Sequence, residues 1–333
     1  MSYKVFIDGR AGTTGLKIED FLACRDDIEL IDIEDEKRKD VAERLHKMSE
    51  ADISFLCLPD AESARIAAEA PADVRLIDAS TYHRVDDAWV YGLPELVTGQ
   101  RKKIAAASRV ALPGCHATGF ILLTRPLIGE GILGADYPFA FHSVTGYSGG
   151  GKKMIAQYEG HTGGHTGDGS FCVAPQHKKN RPRCVEPLKA PRQYALTQDH
   201  KHLPEMTKMA KLEAAPLFSP HVADFFSGLS VTLPLHGRLL LKGAGAADIR
   251  TIIEDRYRDE PFISVMPAGA DPEDGYLSAG MMSGRNDVEI FIAGNAERVL
   301  LVARYDNLGK GASGAAIQCM NIMLGIPEER GLL

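Results

Sequence analysis

Between Leu112 and Phe120 the chain reads LPGCHATGF. A strand-like run ends at Pro113-Gly114, Cys115 follows at once, and the residues after it read as a helix. A thiol in the first turn of a helix meets unpaired N–H groups and the positive end of the dipole, which favour thiolate over thiol. The same N–H groups could stabilise an oxyanion on a carbonyl attacked by the sulfur. The competing reading, a small buried apolar cysteine, suits Cys57 in ISFLCLP and Cys319 in the last helix better. Cys115 is the candidate nucleophile.

A second string, QDHKHLPEM, brings His200, His202 and Glu205 together. An acid–base role for a histidine competes with a metal site, to which His161 and His165 of HTGGH could add ligands. Glycines spoil the helix that would align those two imidazoles, and no Cys or Asp cluster completes a ligand set. Acid–base work is expected, and no metal.

A third string, GRAGTTG, follows the apolar run YKVFID and carries Gly9, Gly12 and Gly15. Glycines there permit a tight turn and let backbone approach a pyrophosphate at a helix N-terminus. Asp32 and Glu34 are placed to favour a free ribose 2′-OH, whereas Lys37, Arg38 and Lys39 could hold a 2′-phosphate. A thiolate, a histidine and a dinucleotide site together suggest hydride transfer through a thioester.

The elements that must position these residues follow from periodicity. Apolar runs at 3–8, 28–33, 52–58 and 74–79 alternate with helical patterns, and KKIAAAS (102–108) is expected to add another strand. Nearly all-apolar strands between helices describe a doubly wound parallel sheet up to about residue 114. Beyond it, runs at 139–146, 227–236, 262–266, 288–294 and 298–306 are strand-like with few helices between them, chiefly HLPEMTKMAKL and AADIRTIIEDRYRD. They suggest a mixed or antiparallel sheet in an α+β domain. Residues 146–192 read as a glycine-rich, basic loop.

The chain has 333 residues, 44% apolar and 25% charged, with a formal net charge of -7. That balance argues against a nucleic-acid or anionic-membrane partner, though not against a small anionic substrate. The N-terminus goes directly into a strand without a signal-peptide pattern, and no apolar run reaches the ~18 residues of a membrane span. Six scattered cysteines without a CxxC pair look like cytosolic free thiols. A cytoplasmic location is expected.

In order and spacing, the strings FIDGRAGTTGL, CLPDAESA, IDASTYHR, YGLPEL, LPGCHATGF, SVTGYSGGGK, HKHLPEM and DNLGKGASGAAIQCMN resemble the short form of N-acetyl-γ-glutamyl-phosphate reductase, an NADPH-dependent family of arginine biosynthesis. The likeness runs essentially end to end. His116-Ala117 stands where the longer form has Tyr-Pro, and Thr13-Thr14 where a Tyr is common. The wider superfamily includes aspartate-semialdehyde dehydrogenase, the rival enzyme reading, which YGLPEL and the His-x-His-x-Pro-Glu string disfavour. A nucleotide sensor that lost the chemistry would need none of Cys115, His202 and Arg84.

The resemblance implies that Cys115 attacks an acyl phosphate and that His202 is the acid–base. It implies that Arg84 and Glu205 bind substrate, and that Gly9, Gly12, Thr13, Thr14 and Gly15 hold the pyrophosphate. Arg38 and Lys39 would hold the 2′-phosphate, and Ser148, Gly149, Gly150, Asn307 and Gly311 would line the nicotinamide end. It further implies a dinucleotide-binding domain of residues 1–114 with 307–333, a catalytic and dimerisation domain of 115–306, and a homodimer or homotetramer.

Overall fold

The structure is a computed structural model that describes residues 2–162 and 188–332. Its first part runs β1 (Tyr3–Asp8), α1 (Thr13–Leu22), β2 (Ile28–Ile31), α2 (Val41–Glu50), β3 (Ile53–Leu56), α3 (Asp60–Glu69), β4 (Leu76–Asp78), β5 (Val90–Tyr91), α4 (Gln100–Ala106), β6 (Arg109–Ala111) and α5 (Cys115–Gly129). The strands are apolar on both faces because both are covered: all four residues of β3 and all three of β4 are buried. They form a parallel sheet in the order β2-β1-β3-β4-β6-β5. Met48 of α2 and Ile66 of α3 pack on one face. Ile18 and Leu22 of α1 and Ile104 of α4 pack on the other.

The second part contains β7 (Ala140–Gly146), α6 (Gly151–Thr162), β8 (Arg192–Gln193), α7 (Leu203–Ala210), β9 (Leu217–Ala223), β10 (Leu229–His236), α8 (Ala246–Tyr257), β11 (Ile263–Val265), β12 (Val288–Gly294), β13 (Arg298–Tyr305) and α9 (Gly314–Leu324). Its seven strands lie in the order β11-β12-β13-β10-β7-β9-β8. Pairing is mixed: β7 with β9 and β11 with β12 run parallel, the other neighbours antiparallel. Leu229, Val231, Leu233 and Leu235 of β10 share a core with Phe120 to Leu123 of α5 and with Ile249 and Ile253 of α8. Thus α5 starts at the edge of the first sheet and buries its apolar length in the core of the second. Helix α9 returns to pack on α1 and α4. Among the described residues no helix is long and apolar enough to cross a membrane.

Two local expectations are corrected, and one strand was not foreseen. The run 102–108 is not a strand: Gln100–Ala106 is helical, with Gln100 and Ile104 buried one turn apart on a helix of Gln, Arg, Lys and Ala, all good helix formers. The strand is its neighbour, Arg109–Ala111. The stretch taken as loop from 146 holds α6, whose Met154 and Tyr158 lie four apart on one face. Tyr158 stacks on Tyr147 at 4.6 Å. Strand β9 carries Pro220 in its middle, paired in register with Ser143, and so lacks an uninterrupted strand pattern in the sequence.

Candidate active site

The site begins where β6 gives way to α5. Gly114 is the N-cap, in extended conformation, and no side chain caps the helix. A Cβ at Gly114 would sit 2.4 Å from His202 Nε2 and 2.6 Å from Arg84 Nη1, so glycine lets the helix start approach both groups. From the far sheet, Tyr305 donates its hydroxyl proton to the Cys115 carbonyl oxygen at 2.5 Å and accepts the Gly119 N–H at 2.9 Å. The first turn is held from both sides.

Glu205, in the first turn of α7, holds the other wall. Its Oε1 accepts from Arg84 Nη1 at 2.7 Å, and its Oε2 accepts from Tyr91 OH at 2.6 Å and from the Gly114 N–H at 3.0 Å. The carboxylate is buried, and burial with Glu205 alongside pushes the Tyr91 phenol well above its ordinary range, so it acts as donor. The loop carrying Arg84 is fixed by Asp78, which accepts from the Ser63 and Ser80 hydroxyls at 2.7 Å and pairs with His83 Nδ1 at 2.6 Å. The His83 ring stacks on Trp89 at 4.0 Å.

A cavity of about 410 Å³ opens between the two sheets. Cys115, His202 and Arg84 line it, facing Thr13 and Thr14 of the glycine turn. So do Ser148, Gly149 and Gly150, and Asn307 and Gly311. Asn307 bridges the wall, donating to Ser148 Oγ at 3.0 Å and accepting the Gly228 N–H at 2.8 Å. Glu205, expected to contact substrate, does not line this cavity: both its oxygens are taken up by protein donors behind the wall.

Gly9, Arg38 and Lys39 line a second cavity, of about 780 Å³, beside β1 and β2. Gly9 has φ +86, and a Cβ there would sit 2.3 Å from the Cys57 carbonyl oxygen. Gly12 and Gly15 line neither cavity and pack inside the turn, where the Gly12 N–H donates to Gly9 O at 2.9 Å. A Cβ at Gly15 would lie 2.7 Å from that same oxygen. Arg38 pairs with Asp35, and Arg10, unnoticed in the sequence, pairs with Glu19 and reaches Asp32 at 3.2 Å.

The electrostatics correct one expectation. Burial pushes the Cys115 thiol up to about 11, against the lowering effects of Arg84 and the His116 N–H. Burial outweighs the helix end in the direction of the shift. Burial also pushes the His202 imidazole well below its ordinary value, helped by Arg84, His116 and His200. His200 falls to about 4 by burial and then Lys201, and its Nδ1 accepts the His202 N–H at 3.1 Å. Burial thus disfavours the charged form of both Cys115 and His202, which line the same cavity. Among the described residues, buried His202 Nδ1 and Arg84 Nε have no hydrogen-bond partner.

His116, next to the nucleophile, is buried. Its Nδ1 meets Ser143 Oγ at 2.9 Å and its Nε2 meets Tyr194 OH at 2.7 Å. Tyr91 and Tyr305 were also missed, although each lies in or beside a motif string, because their partners are remote in sequence. Among the described residues no group of three His, Cys, Asp or Glu side chains could hold a metal ion. The side chains of His161 and His165 lie outside the described residues, as do Cys172 and Cys184.

A nucleotide-type sheet that ends in a cysteine helix under a second, mixed sheet is the plan of the semialdehyde dehydrogenases. The family model of the semialdehyde dehydrogenase NAD binding domain matches residues 5–107, and that of the dimerisation domain matches 161–307. Aspartate semialdehyde dehydrogenase II of Vibrio cholerae, complexed with ASA, superposes with a TM-score of 0.66 at 16% identity, covering 98% of this chain and 99% of that one. The Francisella tularensis aspartate semialdehyde dehydrogenase gives 0.68 at 15%, covering 97% and 100%. At these identities the likeness shows the fold.

Much nearer in sequence is N-acetyl-gamma-glutamyl-phosphate reductase 2 of Nostoc sp., 44% identical over 340 residues, with 99% of each chain covered. The N-acetyl-gamma-glutamyl-phosphate reductase of Brucella ovis is 40% identical over 329 residues, covering 98% of this chain and all of that one. The chain belongs to the N-acetyl-γ-glutamyl-phosphate reductase family.

The raised thiol sets a pH dependence. Because the thiolate is the reactive form, alkylation of Cys115 by iodoacetamide in the ligand-free protein should be slow near neutrality. It should climb with pH toward a midpoint near 11, where the thiol ionises. Rapid labelling at pH 7 with a midpoint below the ordinary thiol range would show that Arg84 and the helix end outweigh burial.

Proposed function

We propose that this protein reduces N-acetyl-L-glutamyl 5-phosphate to N-acetyl-L-glutamate 5-semialdehyde with NADPH, releasing phosphate, through a thioester on Cys115. The observation that carries the reading is the meeting of Cys115, His202 and Arg84 on one cavity wall, with the glycine turn opposite. His202 takes the Cys115 proton as the sulfur attacks the acyl carbon. The C–O bond to phosphate breaks, and the departing phosphate receives that proton. Arg84 faces the phosphate, its buried Nε free to donate while Nη1 stays on Glu205. Glu205 is thereby a positioning residue for Arg84 and for the start of α5.

The residues present fit the cofactor: Thr13 and Thr14 of the glycine turn line the cavity that holds Cys115, and the second cavity, lined by Gly9, holds cations for its far end. Gly9, Thr13 and Thr14 would meet the pyrophosphate, with Gly12 and Gly15 shaping the turn behind them, and Ser148 to Gly150, Asn307 and Gly311 the nicotinamide end. Bound NADPH supplies the hydride that reduces the thioester carbonyl. The resulting tetrahedral oxyanion on Cys115 faces the N–H groups at the start of α5. Its collapse breaks the C–S bond, frees the aldehyde and leaves a thiolate that takes up one proton.

We assign residues 1–114 and 307–333 to the dinucleotide-binding domain and 115–306 to the catalytic domain, a division supported by the packing of α9 on α1 and α4. A homo-oligomer paired through the open face of the second sheet is supported by exposed Leu300 there and Tyr276 beside it. A solution mass of one chain would contradict it. The location is cytoplasmic, in keeping with four unpaired cysteines among the described residues.

Two substitutions test the assignments. Arg84→Lys replaces a two-point fork with a point charge and should lose most of kcat/KM for the acyl phosphate while binding NADPH as before; a near-parental variant would reduce Arg84 to a structural ion pair. Arg38→Ala with Lys39→Ala should raise the KM for NADPH far more than that for NADH. Equal effects on both cofactors would place the 2′-phosphate elsewhere, with Arg10 the next candidate.

A further inference from the structure

Below Cys115, on the side away from the cavity, lies an ion pair that never meets water. Lys310 Nζ is 2.7 Å from Glu95 Oε1, and both side chains are fully buried. Gln318 Nε2 donates to the same carboxylate oxygen at 2.9 Å, while Gln318 Oε1 accepts from Lys310. Arg101 stands 3.8 Å from Glu95 and goes on to Glu260 and Glu328. Burial alone would raise the Glu95 carboxyl, but Lys310, Gln318 and Arg101 hold it below its ordinary range. Neither Glu95 nor Lys310 lines the cavity.

A buried ion pair is a poor device for stability alone, since a well-packed apolar pair of similar volume is commonly as stable or more so. Its location suggests what it does instead. Lys310 lies inside a five-residue π-helical turn, Gly309–Ser313, a kind of turn found often at functional sites. The next residue, Gly311, lies against the nucleophile: a Cβ there would be 3.0 Å from Cys115 Cβ. The same turn is clamped on its outer side, where a Cβ at Gly309 would strike the Arg285 carbonyl oxygen at 2.1 Å. Ser313 Oγ donates to Thr14 O at 3.3 Å, tying the turn to the glycine loop. At the other end of the pair, Glu95 lies four residues after Tyr91, whose hydroxyl holds Glu205.

We propose that Glu95 and Lys310 are positioning residues for the reaction: their buried pair fixes the height of Gly311 against Cys115, and with it the wall on which the nicotinamide end rests. The inference deepens the reductase reading and rests on it. The chain's two approaches to the nucleophile, one through Tyr91 and Glu205 and one through the π turn, are locked together by this contact.

The test is Glu95→Gln with Lys310→Met, which removes both charges at nearly constant volume. Its thermal midpoint should stay near the parent's, whereas kcat should fall by about tenfold to a hundredfold, the scale of a small misplacement of reacting groups. KM for the acyl phosphate should hold, because Arg84 and Glu205 are untouched. Cys115 should alkylate faster at fixed pH, since the wall over it is loosened. Glu95→Asp, which keeps the charge on a shorter arm, should give an intermediate kcat, and it decides the matter alone if the double variant does not fold. Parental kcat and parental alkylation rate in either folded variant would overturn the proposal. A parent protein without acyl-phosphate reduction would instead sink the reductase reading, and the alkylation arm would still report on the pair.

Discussion

One carboxylate organises the site. A carboxylate removed from water is tolerated only when donors surround it, and Glu205 has three: a guanidinium, a phenol and a backbone N–H. They come from the loop after β4, from β5 and from the residue before α5, each a different exit from the first sheet. Satisfying Glu205 therefore brings those exits onto α7, at whose N-cap His202 stands. Removing one partner of such a buried pair typically costs about 3–5 kcal/mol. Here the loss would also free Arg84 and the start of the nucleophile's helix to move apart.

The same enclosure explains the charge state of the resting site. Burial disfavours the charged forms of the Cys115 thiol and of the His202 and His200 imidazoles. A half-buried thiol whose ionisation is disfavoured reacts slowly with alkylating agents and oxidants. Tyr305 and the π turn complete the arrangement from the second sheet, one holding the Cys115 carbonyl and the other its flank.

How much of this was legible in the sequence depended on the range of the interaction. Apolar strands flanked by turn residues were readable because their apolar runs mark them locally, whether buried on both faces as β3 or on one as β7, and β1, β7, β10, β12 and β13 fall within a residue or two of where periodicity puts them. Alanine misled at Ile104, where a run with strand-like length is a helix, and Pro220 hid β9. Within the site, Cys115, His202 and Arg84 stood out through short motif strings. What Glu205 does was not readable, since its partners lie 91, 114 and 121 residues away. Nor was the direction of the thiol's shift: the helix start is visible in LPGCHATGF, but the burial that outweighs it is a property of the packed site.

The proposed mechanism passes through a covalent acyl-enzyme at one named sulfur. Its most direct test is to mix the protein with the acyl phosphate in the absence of nicotinamide cofactor, quench in acid, and map the product by peptide mass spectrometry. The account predicts a mass gain of one N-acetylglutamyl group on the peptide containing Cys115, with phosphate released in step and the adduct discharged when NADPH is added before the quench. Turnover with no adduct on Cys115, or an adduct on another residue that NADPH discharges, would contradict it.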